Sequence, residues 1–228
     1  RRFLSILGRV SANVYRDMVK AQGEPDVVHS HFYFMGAILA SMPKRPACPV
    51  VITEHSSKLN KDASLISELD KKLARMAYDY ADRVVAVSNA LAKRLKTNFS
   101  VDAEVIPDMF NLPKVEPVAK DDNVFRVVSV GRIVRGKGFF KLVNAFYQAQ
   151  IPENSVLIII GAGTLKAFIH EGLVNHRTRL VGLKSREEIV RYLQSADMFA
   201  LLSQSETFGV SCIEALSVGL PVLVTRCG

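Results

Sequence analysis

Two carboxylates and two cations are the residues whose types and spacing most clearly suggest chemistry in this chain of 228 residues. Glu206 and Glu214 follow an apolar run with seven residues between them, and Arg132 and Lys137 follow an earlier apolar run. Carboxylates accept hydrogen bonds from paired hydroxyls such as those of sugars and ribose, whereas fixed cations neutralise phosphates. The four side chains together therefore describe a site for a sugar nucleotide.

A strand, a loop and a helix start should position the two glutamates. The apolar run 198–202 predicts a strand, and a helix should begin near Phe208 and Gly209, where backbone N–H groups and the helix dipole favour a diphosphate. Gly209 also lets the chain approach a ligand closely. The alternative is structural, because Ser203-x-x-Glu206 and Ser211-x-x-Glu214 each match a capping box, although both cannot start the same helix.

The loop 131–138, G-R-I-V-R-G-K-G, lies between a predicted strand and a predicted helix, where a loop can direct N–H groups and cations at a phosphate. Its spacing matches a P-loop, but Gly138 stands where a hydroxyl would hold Mg²⁺, which disfavours a nucleoside triphosphatase. A metal-free site in which Arg132 and Lys137 hold a diphosphate needs no such hydroxyl. Solvated surface residues are the alternative for both cations, and the residues alone leave it open.

A second pair of glycines, Gly161 and Gly163, ends another apolar run, as the first two glycines of a dinucleotide fingerprint would. Lys166 replaces the third glycine, and no acidic residue ends the next strand to hold a ribose, so NAD binding is disfavoured. A tight turn from strand to helix accounts for these glycines almost as well.

Three histidines, His29, His31 and His55, lie at the ends of predicted strands, where parallel sheets gather their ligand sites. We expect His55 to be functional, because it follows a strand and precedes the polar loop S-S-K. His170 and His176 are interpreted as surface residues. No D-x-D or H-E-x-x-H pattern occurs, so we expect a metal-independent site without a cofactor.

The order of apolar runs and helical periodicity predicts an α/β fold with two domains. Strands alternate with helices in both halves, which is typical of parallel sheets with helices on both faces. We expect a first domain at residues 1–108, a linker at 109–123 and a second domain at 124–228. Strands are predicted at 27–28, 50–53, 83–87, 104–106, 125–130, 155–160, 179–181 and 198–202, and as a buried strand just before 228. Helices are predicted at 1–22, 35–41, 64–81, 89–96 with Ser88 as the cap, 138–149, after 164, after Ser185 and from about 208.

Composition excludes some classes of protein. The chain has 49% hydrophobic and 23% charged residues, and its longest apolar run is too short to cross a membrane. Three widely spaced cysteines fit neither a disulfide framework nor a metal site, so we expect a reducing compartment, the cytoplasm.

The net charge of +8 favours anionic partners without choosing among them. The first helix is basic and amphipathic, and either packs on a sheet or contacts an anionic bilayer.

Several motifs taken together resemble those of a known enzyme family. V-G-R-x-x-x-x-K-G, G-A-G and A-D-M-F-A-L-L-S-Q-S-E-T-F-G-V-S-C-I-E-A-L-S-V-G-L-P-V are similar to the nucleotide-binding domain of retaining glycosyltransferases of the GT-B fold, family 4, over residues 125–228. The first half is similar more loosely, through P-D-V-V-H-S-H, V-I-T-E-H, A-D-R-V-V-A-V-S and V-I-P-D. The resemblance implies two Rossmann-like domains whose parallel sheets face each other across a cleft.

The resemblance also implies an activity. Members of the family transfer a sugar from a nucleotide diphosphate donor to an acceptor hydroxyl with retained anomeric configuration. The resemblance implies no protein nucleophile, and the leaving phosphate helps to deprotonate the acceptor. Here Arg132 and Lys137 would stabilise the leaving diphosphate, Glu206 would lie by the donor sugar and His55 near the transferred sugar, which makes these four the expected catalytic residues. The expected donor-binding residues are Gly131, Gly163, Val181, Phe208, Gly209, Val210 and Glu214, with Glu214 on the ribose and the segment after 180–182 on the base.

The expected partners are a nucleotide-sugar donor, a sugar or lipid-linked acceptor and an anionic surface on the inner face of the membrane, without nucleic acid, in the synthesis of a surface polysaccharide or glycolipid. Asp108, Leu202 and Thr207 stand where family members often have Asn, Pro and Gly. We expect the family's N-terminal strand and glycine loop and its C-terminal helix to be missing here, which would weaken binding and transfer. A sugar-nucleotide epimerase of the same fold and a non-catalytic nucleotide-binding module are the alternatives.

Overall fold

The computed structural model describes residues 2–116, 118–120, 123–164 and 177–227. They form two compact units that divide after Asp108, and each unit contains one parallel sheet. The predicted α/β fold with two parallel sheets is therefore confirmed. The helix predicted after residue 164, together with Lys166, His170 and His176, lies outside the described residues.

The first unit is built around a four-stranded parallel sheet with the order β1-β2-β3-β4. Its elements are α1 (Arg2–Gln22), β1 (Val28–His31), α2 (Tyr33–Ala40), β2 (Val50–Glu54), a 3₁₀ turn (Ala63–Leu65), α3 (Glu68–Tyr80), β3 (Arg83–Ala86), α4 (Asn89–Phe99) and β4 (Glu104–Val105). The buried side chains of Ile52 and Ala77 lie beneath Gly36 of α2, where an added Cβ would come within 2.8 Å of both. Gly36 therefore lets α2 pack closely on the sheet and on α3.

The second unit contains a five-stranded parallel sheet with the order β7-β6-β5-β8-β9. Its elements are β5 (Arg126–Val130), a 3₁₀ turn (Arg135–Lys137), α5 (Phe139–Gln148), β6 (Val156–Ile160), β7 (Thr178–Gly182), α6 (Arg186–Gln194), β8 (Met198–Leu201), α7 (Val210–Ser217) and β9 (Val222–Val224). Val128, Ile159 and Phe199 are fully buried in its core. The strand order reverses between β5 and β8, and ligands of such sheets bind where the loops that follow the two strands diverge.

Two elements differ from their predictions. The helix predicted over 64–81 is confirmed over Glu68–Tyr80 but begins later than predicted, because the chain is extended at Ile66 and Ser67, and Ser67 caps the helix by accepting a hydrogen bond from the N–H of Asp70. The strand predicted before residue 228 is confirmed as β9, but its predicted burial is wrong, because β9 lies at the edge of its sheet among the described residues and Leu223 and Val224 are 52% and 44% exposed. The caps predicted at Ser88 and Ser185 are both confirmed, the latter as a complete capping box.

Helix α1 packs on α2 and leaves its apolar stripe exposed. An added Cβ on its buried residue Gly8 would lie 2.3 Å from the carbonyl oxygen of Ser41, whose hydroxyl donates to the carbonyl of Leu4 at 3.0 Å. The exposed apolar side chains are Phe3, Ile6, Val10, Val14 and Met18. Packing of this stripe on a sheet is therefore not seen among the described residues. None of the described helices combines the length and the apolar character that crossing a membrane requires.

Candidate active site

The loops that follow β5 and β8 meet at the point where the strand order reverses. The N–H of Gln204 donates to the carbonyl oxygen of Gly136 at 2.9 Å. Lys137 Nζ lies 2.6 Å from Glu206 Oε1, and the hydroxyl of the buried Ser203 donates to the same oxygen at 2.6 Å. Two of the predicted catalytic residues are therefore in contact, and Ser203 holds one of them.

Gly138 makes this close approach of the two loops possible. Its φ of +69° is in the left-handed region, and an added Cβ would lie 1.9 Å from the carbonyl oxygen of Leu202. The glycine at the position of a P-loop hydroxyl therefore has a structural reason, since any side chain there would push Lys137 away from Glu206.

The two predicted glycine loops pack backbone against backbone. The N–H of Gly131 donates to the carbonyl oxygen of Ile160 at 3.0 Å, and Ile133 forms a parallel bridge with Gly163. An added Cβ on Gly161 would lie 2.0 Å from the carbonyl oxygen of Gly131. This contact explains why glycines occur here, as the alternative interpretation of a tight turn proposes. The exposed Arg132 lies on the same loop as Lys137.

Glu214 lies on α7, where its side chain is 13% exposed and its Oε1 is 3.3 Å from a guanidinium nitrogen of Arg186. Arg186 begins α6. Helix α7 starts after Gly209, whose φ is +78°, and no described side chain caps this start. The capping interpretation of Glu206 and Glu214 is therefore wrong, because neither glutamate occupies the capping position of a helix.

The carboxylate of Glu206 lies near the first turn of α7. The pKa of the Cys212 thiol in that turn is raised, first by burial and then by the negative charge of Glu206. Phe208, Gly209 and Val210, three predicted donor-binding residues, form the chain between this carboxylate and the helix. Val181, another of them, is half-buried in β7, one residue before Gly182 with its φ of +76°.

A cavity of ≈ 490 Å³ adjoins the loop after β5, and small-molecule sites commonly have volumes of about 300–1,000 Å³. Its lining includes the side chains of Arg135, Lys141, Thr164 and Gln204. Two cations in this lining add to the positive charge of the neighbouring Lys137. The arrangement is suited to an anionic ligand of small-molecule size.

In the first unit, the predicted His55 lies in a cluster with the other two histidines. His55 Nε2 is 2.9 Å from His31 Nδ1, and His55 Nδ1 is 3.2 Å from a carboxylate oxygen of Asp108. His29 contacts the hydroxyl of Thr53 at 2.7 Å, and its pKa is lowered, first by partial burial and then by the nearby His31 and His55. All three histidines predicted at strand ends are therefore close together.

The sequence prediction missed Glu54, the last residue of β2. Its carboxylate is fully buried and accepts hydrogen bonds from the N–H groups of Tyr33, His55 and Ser56 and from the hydroxyl of Tyr78. Burial raises its pKa, against the effect of these hydrogen bonds. Glu54 therefore holds the backbone that carries His55 and the start of α2. The one signal in the sequence was a carboxylate that directly continues an apolar strand.

The residue between β1 and α2 also has an uncommon backbone. Phe32 has a φ of +69°, its ring is 43% exposed, and the ring centre lies 5.2 Å from that of His55. Among the described residues, no group of three or more His, Cys, Asp or Glu side chains is arranged to hold a metal ion.

Family models match both units of the chain. The model of glycosyl transferases group 1 matches residues 112–228, more than half of the chain, and the model of glycosyltransferase family 4 matches residues 4–112. The two matches together extend over the loops of the site described above.

Two curated relatives are more than a quarter identical to this chain. The chain is 28% identical over 233 residues to a protein of Bacillus subtilis (strain 168) named "Putative teichuronic acid biosynthesis glycosyltransferase TuaC". It is 29% identical over 232 residues to the D-inositol 3-phosphate glycosyltransferase of Mycolicibacterium smegmatis. The alignments cover 96% and 90% of this chain but 58% and 53% of those proteins. The chain thus spans somewhat more than half the length of these relatives.

Solved structures share the fold. Sucrose-phosphate synthase of Thermosynechococcus elongatus has a TM-score of 0.79 at 20% identity, over 95% of this chain and 60% of that one. HepE of Anabaena, in complex with UDP and glucose, has a TM-score of 0.78 at 21% identity, over 95% of this chain and 63% of that one. The chain belongs to the glycosyl transferases group 1 family, and its two parallel sheets have the GT-B fold.

Proposed function

We propose that this protein transfers a sugar from a nucleoside diphosphate sugar to an acceptor hydroxyl with retained anomeric configuration. The observation that carries the proposal is the contact of Lys137 with Glu206 where the loops after β5 and β8 meet, in a chain of this family. Binding of UDP and glucose by HepE, which has the same fold, supports a nucleotide-sugar donor.

The cations on the loop after β5 would neutralise the leaving diphosphate. Lys137 and the exposed Arg132 lie on one loop, and a fixed positive charge there stabilises the charge that develops on the phosphate as the sugar leaves. Lys137 is 27% exposed and already faces a carboxylate, so its ammonium group is oriented before the donor binds. We propose that these two side chains supply the charge that a metal ion supplies in other transferases.

The uncapped start of α7 would receive the same diphosphate from the other side. Since none of the side chains that the structure describes caps this start, its first N–H groups and the positive end of the helix dipole would face the space beyond Gly209. Phe208, Gly209 and Val210 would bind the donor through this backbone. Glu206, which is held by Ser203 and Lys137, would then accept from hydroxyls of the donor sugar.

Glu214 would hold the ribose hydroxyls of the donor. Its carboxylate is largely buried and is oriented by Arg186, so a ribose diol would find an acceptor that is already in position. In the proposed reaction neither glutamate attacks the sugar, and the leaving phosphate takes the proton of the acceptor.

Replacing Glu214 by alanine in the full-length protein is expected to weaken nucleoside diphosphate binding by roughly 10- to 100-fold, because two charge-assisted hydrogen bonds to the ribose are lost. A thermal-shift screen of UDP, GDP, ADP and their sugar conjugates would first identify the ligand, and titration calorimetry would then measure the change. Glu153→Ala, on the exposed turn before β6, is the matched control. Equal affinities of the two variants would contradict the role of Glu214, and binding without turnover would instead favour a non-catalytic module.

We also propose that α1 contacts an anionic bilayer, in keeping with a role in surface polysaccharide or glycolipid synthesis. Its exposed apolar stripe lies beside Arg2, Arg9 and Arg16. The full-length protein is expected to sediment with vesicles that contain anionic lipid and to be released by salt, and Arg9→Glu with Arg16→Glu should abolish this binding. Failure to sediment, or binding that the double variant retains, would contradict the contact.

A further inference from the structure

Both ring nitrogens of His55 have a partner in the structure. Nδ1 lies 3.2 Å from Oδ1 of Asp108, and Nε2 lies 2.9 Å from Nδ1 of His31. The side chains of His55 and Asp108 are 22% and 31% exposed, so the contact is shielded from bulk water in part. The three side chains thus follow one another at contact distance, from His31 to His55 to Asp108, and we call them the histidine chain.

The chemistry of Asp108 gives this chain a direction. An ionised carboxylate only accepts hydrogen bonds, so the ring nitrogen that faces it must carry the hydrogen. A neutral ring carries only one hydrogen, so Nε2 of His55 then has a lone pair and can only accept a hydrogen bond. The hydrogen between the two histidines therefore belongs to Nδ1 of His31. In the contact between the two rings the hydrogen therefore lies on His31, and in the contact with Asp108 it lies on His55.

Both ends of the contact are anchored to the first sheet. The N–H groups of His55 and Ser56 donate to the buried carboxylate of Glu54 at 3.0 and 2.7 Å. On the other side, the N–H of Ile106, two residues before Asp108, donates to the carbonyl oxygen of Ala86 at 3.1 Å. The geometry between ring and carboxylate is therefore fixed by the backbone on either side.

An asparagine at position 108 would not fix the ring in the same way. Its side chain can turn either an oxygen or an NH₂ group toward Nδ1, so it is compatible with both neutral forms of the imidazole. An aspartate admits only the form with the hydrogen on Nδ1. The identity of residue 108 therefore decides which ring nitrogen of His55 can accept a hydrogen bond.

We propose that Asp108 is a positioning residue that holds His55 in the Nδ1–H form, so that Nε2 accepts a hydrogen bond from a hydroxyl of the transferred sugar in exchange for His31. This proposal rests on the proposed function for one point only, namely that the ligand of His55 is the sugar of the donor. The arrangement of the hydrogen atoms itself follows from the contacts within the first unit.

Nitrogen chemical shifts of the histidine rings test the arrangement without any assay of activity. In the full-length protein with ¹⁵N-labelled histidine, at alkaline pH where histidine rings are neutral, His55 is expected to show a protonated Nδ1 and an unprotonated Nε2. Asp108→Asn and Asp108→Leu should each move His55 toward the Nε2–H form, with His55→Gln used to assign its signals. An Nε2–H form in the unchanged protein, or the same form in all variants, would overturn the proposal.

Kinetics then test the link to the reaction. Asp108→Asn is expected to lower kcat/KM for the donor by about 10- to 100-fold, because a side chain that is no longer held in its orientation is misplaced at the bound sugar. Asp102→Asn, an exposed aspartate of the same unit that pairs with Lys96, is the matched control and should leave kcat/KM unchanged. If transfer proceeds and Asp108→Asn behaves like the control, this inference fails and the proposed function stands. If the unchanged protein transfers no sugar, the proposed function fails, and the ring shifts alone decide whether Asp108 fixes His55.

Discussion

Replacing Lys137 by methionine in the full-length protein is expected to lower kcat for sugar transfer by about 100- to 1000-fold, the usual effect of removing one preorganised group that stabilises developing charge. Methionine keeps most of the length and volume of the side chain and removes only its charge. The loss should be larger in kcat than in KM, because the charge on the leaving diphosphate grows as the bond to the sugar breaks.

The partner of Lys137 makes the experiment more specific. Without the ammonium group, the half-buried carboxylate of Glu206 would keep the hydroxyl of Ser203 and lose its cation. The double variant Lys137→Met with Glu206→Gln should therefore recover part of any loss in folding stability and none of the loss in kcat. Lys120→Met is the matched control, since Lys120 lies 3.6 Å from Asp197 and away from the two loops. A kcat for Lys137→Met within twofold of this control would contradict the assignment.

Replacing Glu54 by glutamine is expected to lower the free energy of unfolding by about 2–4 kcal/mol. The buried carboxylate accepts hydrogen bonds on both oxygens, two on each. A glutamine offers one oxygen, so its NH₂ group must face N–H donors that the carboxylate accepted from. Each buried donor left unpaired costs about 1–3 kcal/mol.

Urea denaturation of the full-length protein, followed by a signal from the first unit, measures this change through the midpoint and the slope. Glu104→Gln is the matched control, because Glu104 is an exposed glutamate in the same sheet, and its replacement should stay within about 0.5 kcal/mol. If the two variants unfold at the same urea concentration, Glu54 does not support the backbone of His55 in the way described.

Local patterns predicted the parts of the fold that depend on neighbouring residues. The capping box at Ser185 and the cap at Ser88 were predicted because each cap and its partner lie within one turn of each other. The same rule failed at Ser203 and Glu206. The side chains of Ser203 and Glu206 are in contact, but α7 starts only after Gly209. The loop that contains Gly138 packs against Leu202 instead.

Contacts between distant residues could not be predicted from the sequence. Glu54 is bonded by Tyr33, 21 residues earlier, and by Tyr78, 24 residues later. The sequence indicated His55 as a strand-end residue, yet its contacts with His31 and Asp108 depend on the parallel pairing of β1 with β2 and on the chain after β4. The sequence thus indicated which residues form the site, but it did not indicate which side chains those residues contact. The roles given to these residues remain predictions.

The anomeric configuration of the released sugar is the most direct test of the central claim. The full-length protein would be incubated with the nucleoside diphosphate α-sugar that the thermal-shift screen selects, and the first-formed product would be observed by proton NMR before mutarotation, with and without an acceptor. We expect the first-formed product, a glycoside with an acceptor or free sugar without one, to have the α-configuration, at a rate that Lys137→Met lowers by about 100-fold or more. A β-anomer as the first product, or an α-anomer formed equally fast by Lys137→Met, would contradict it.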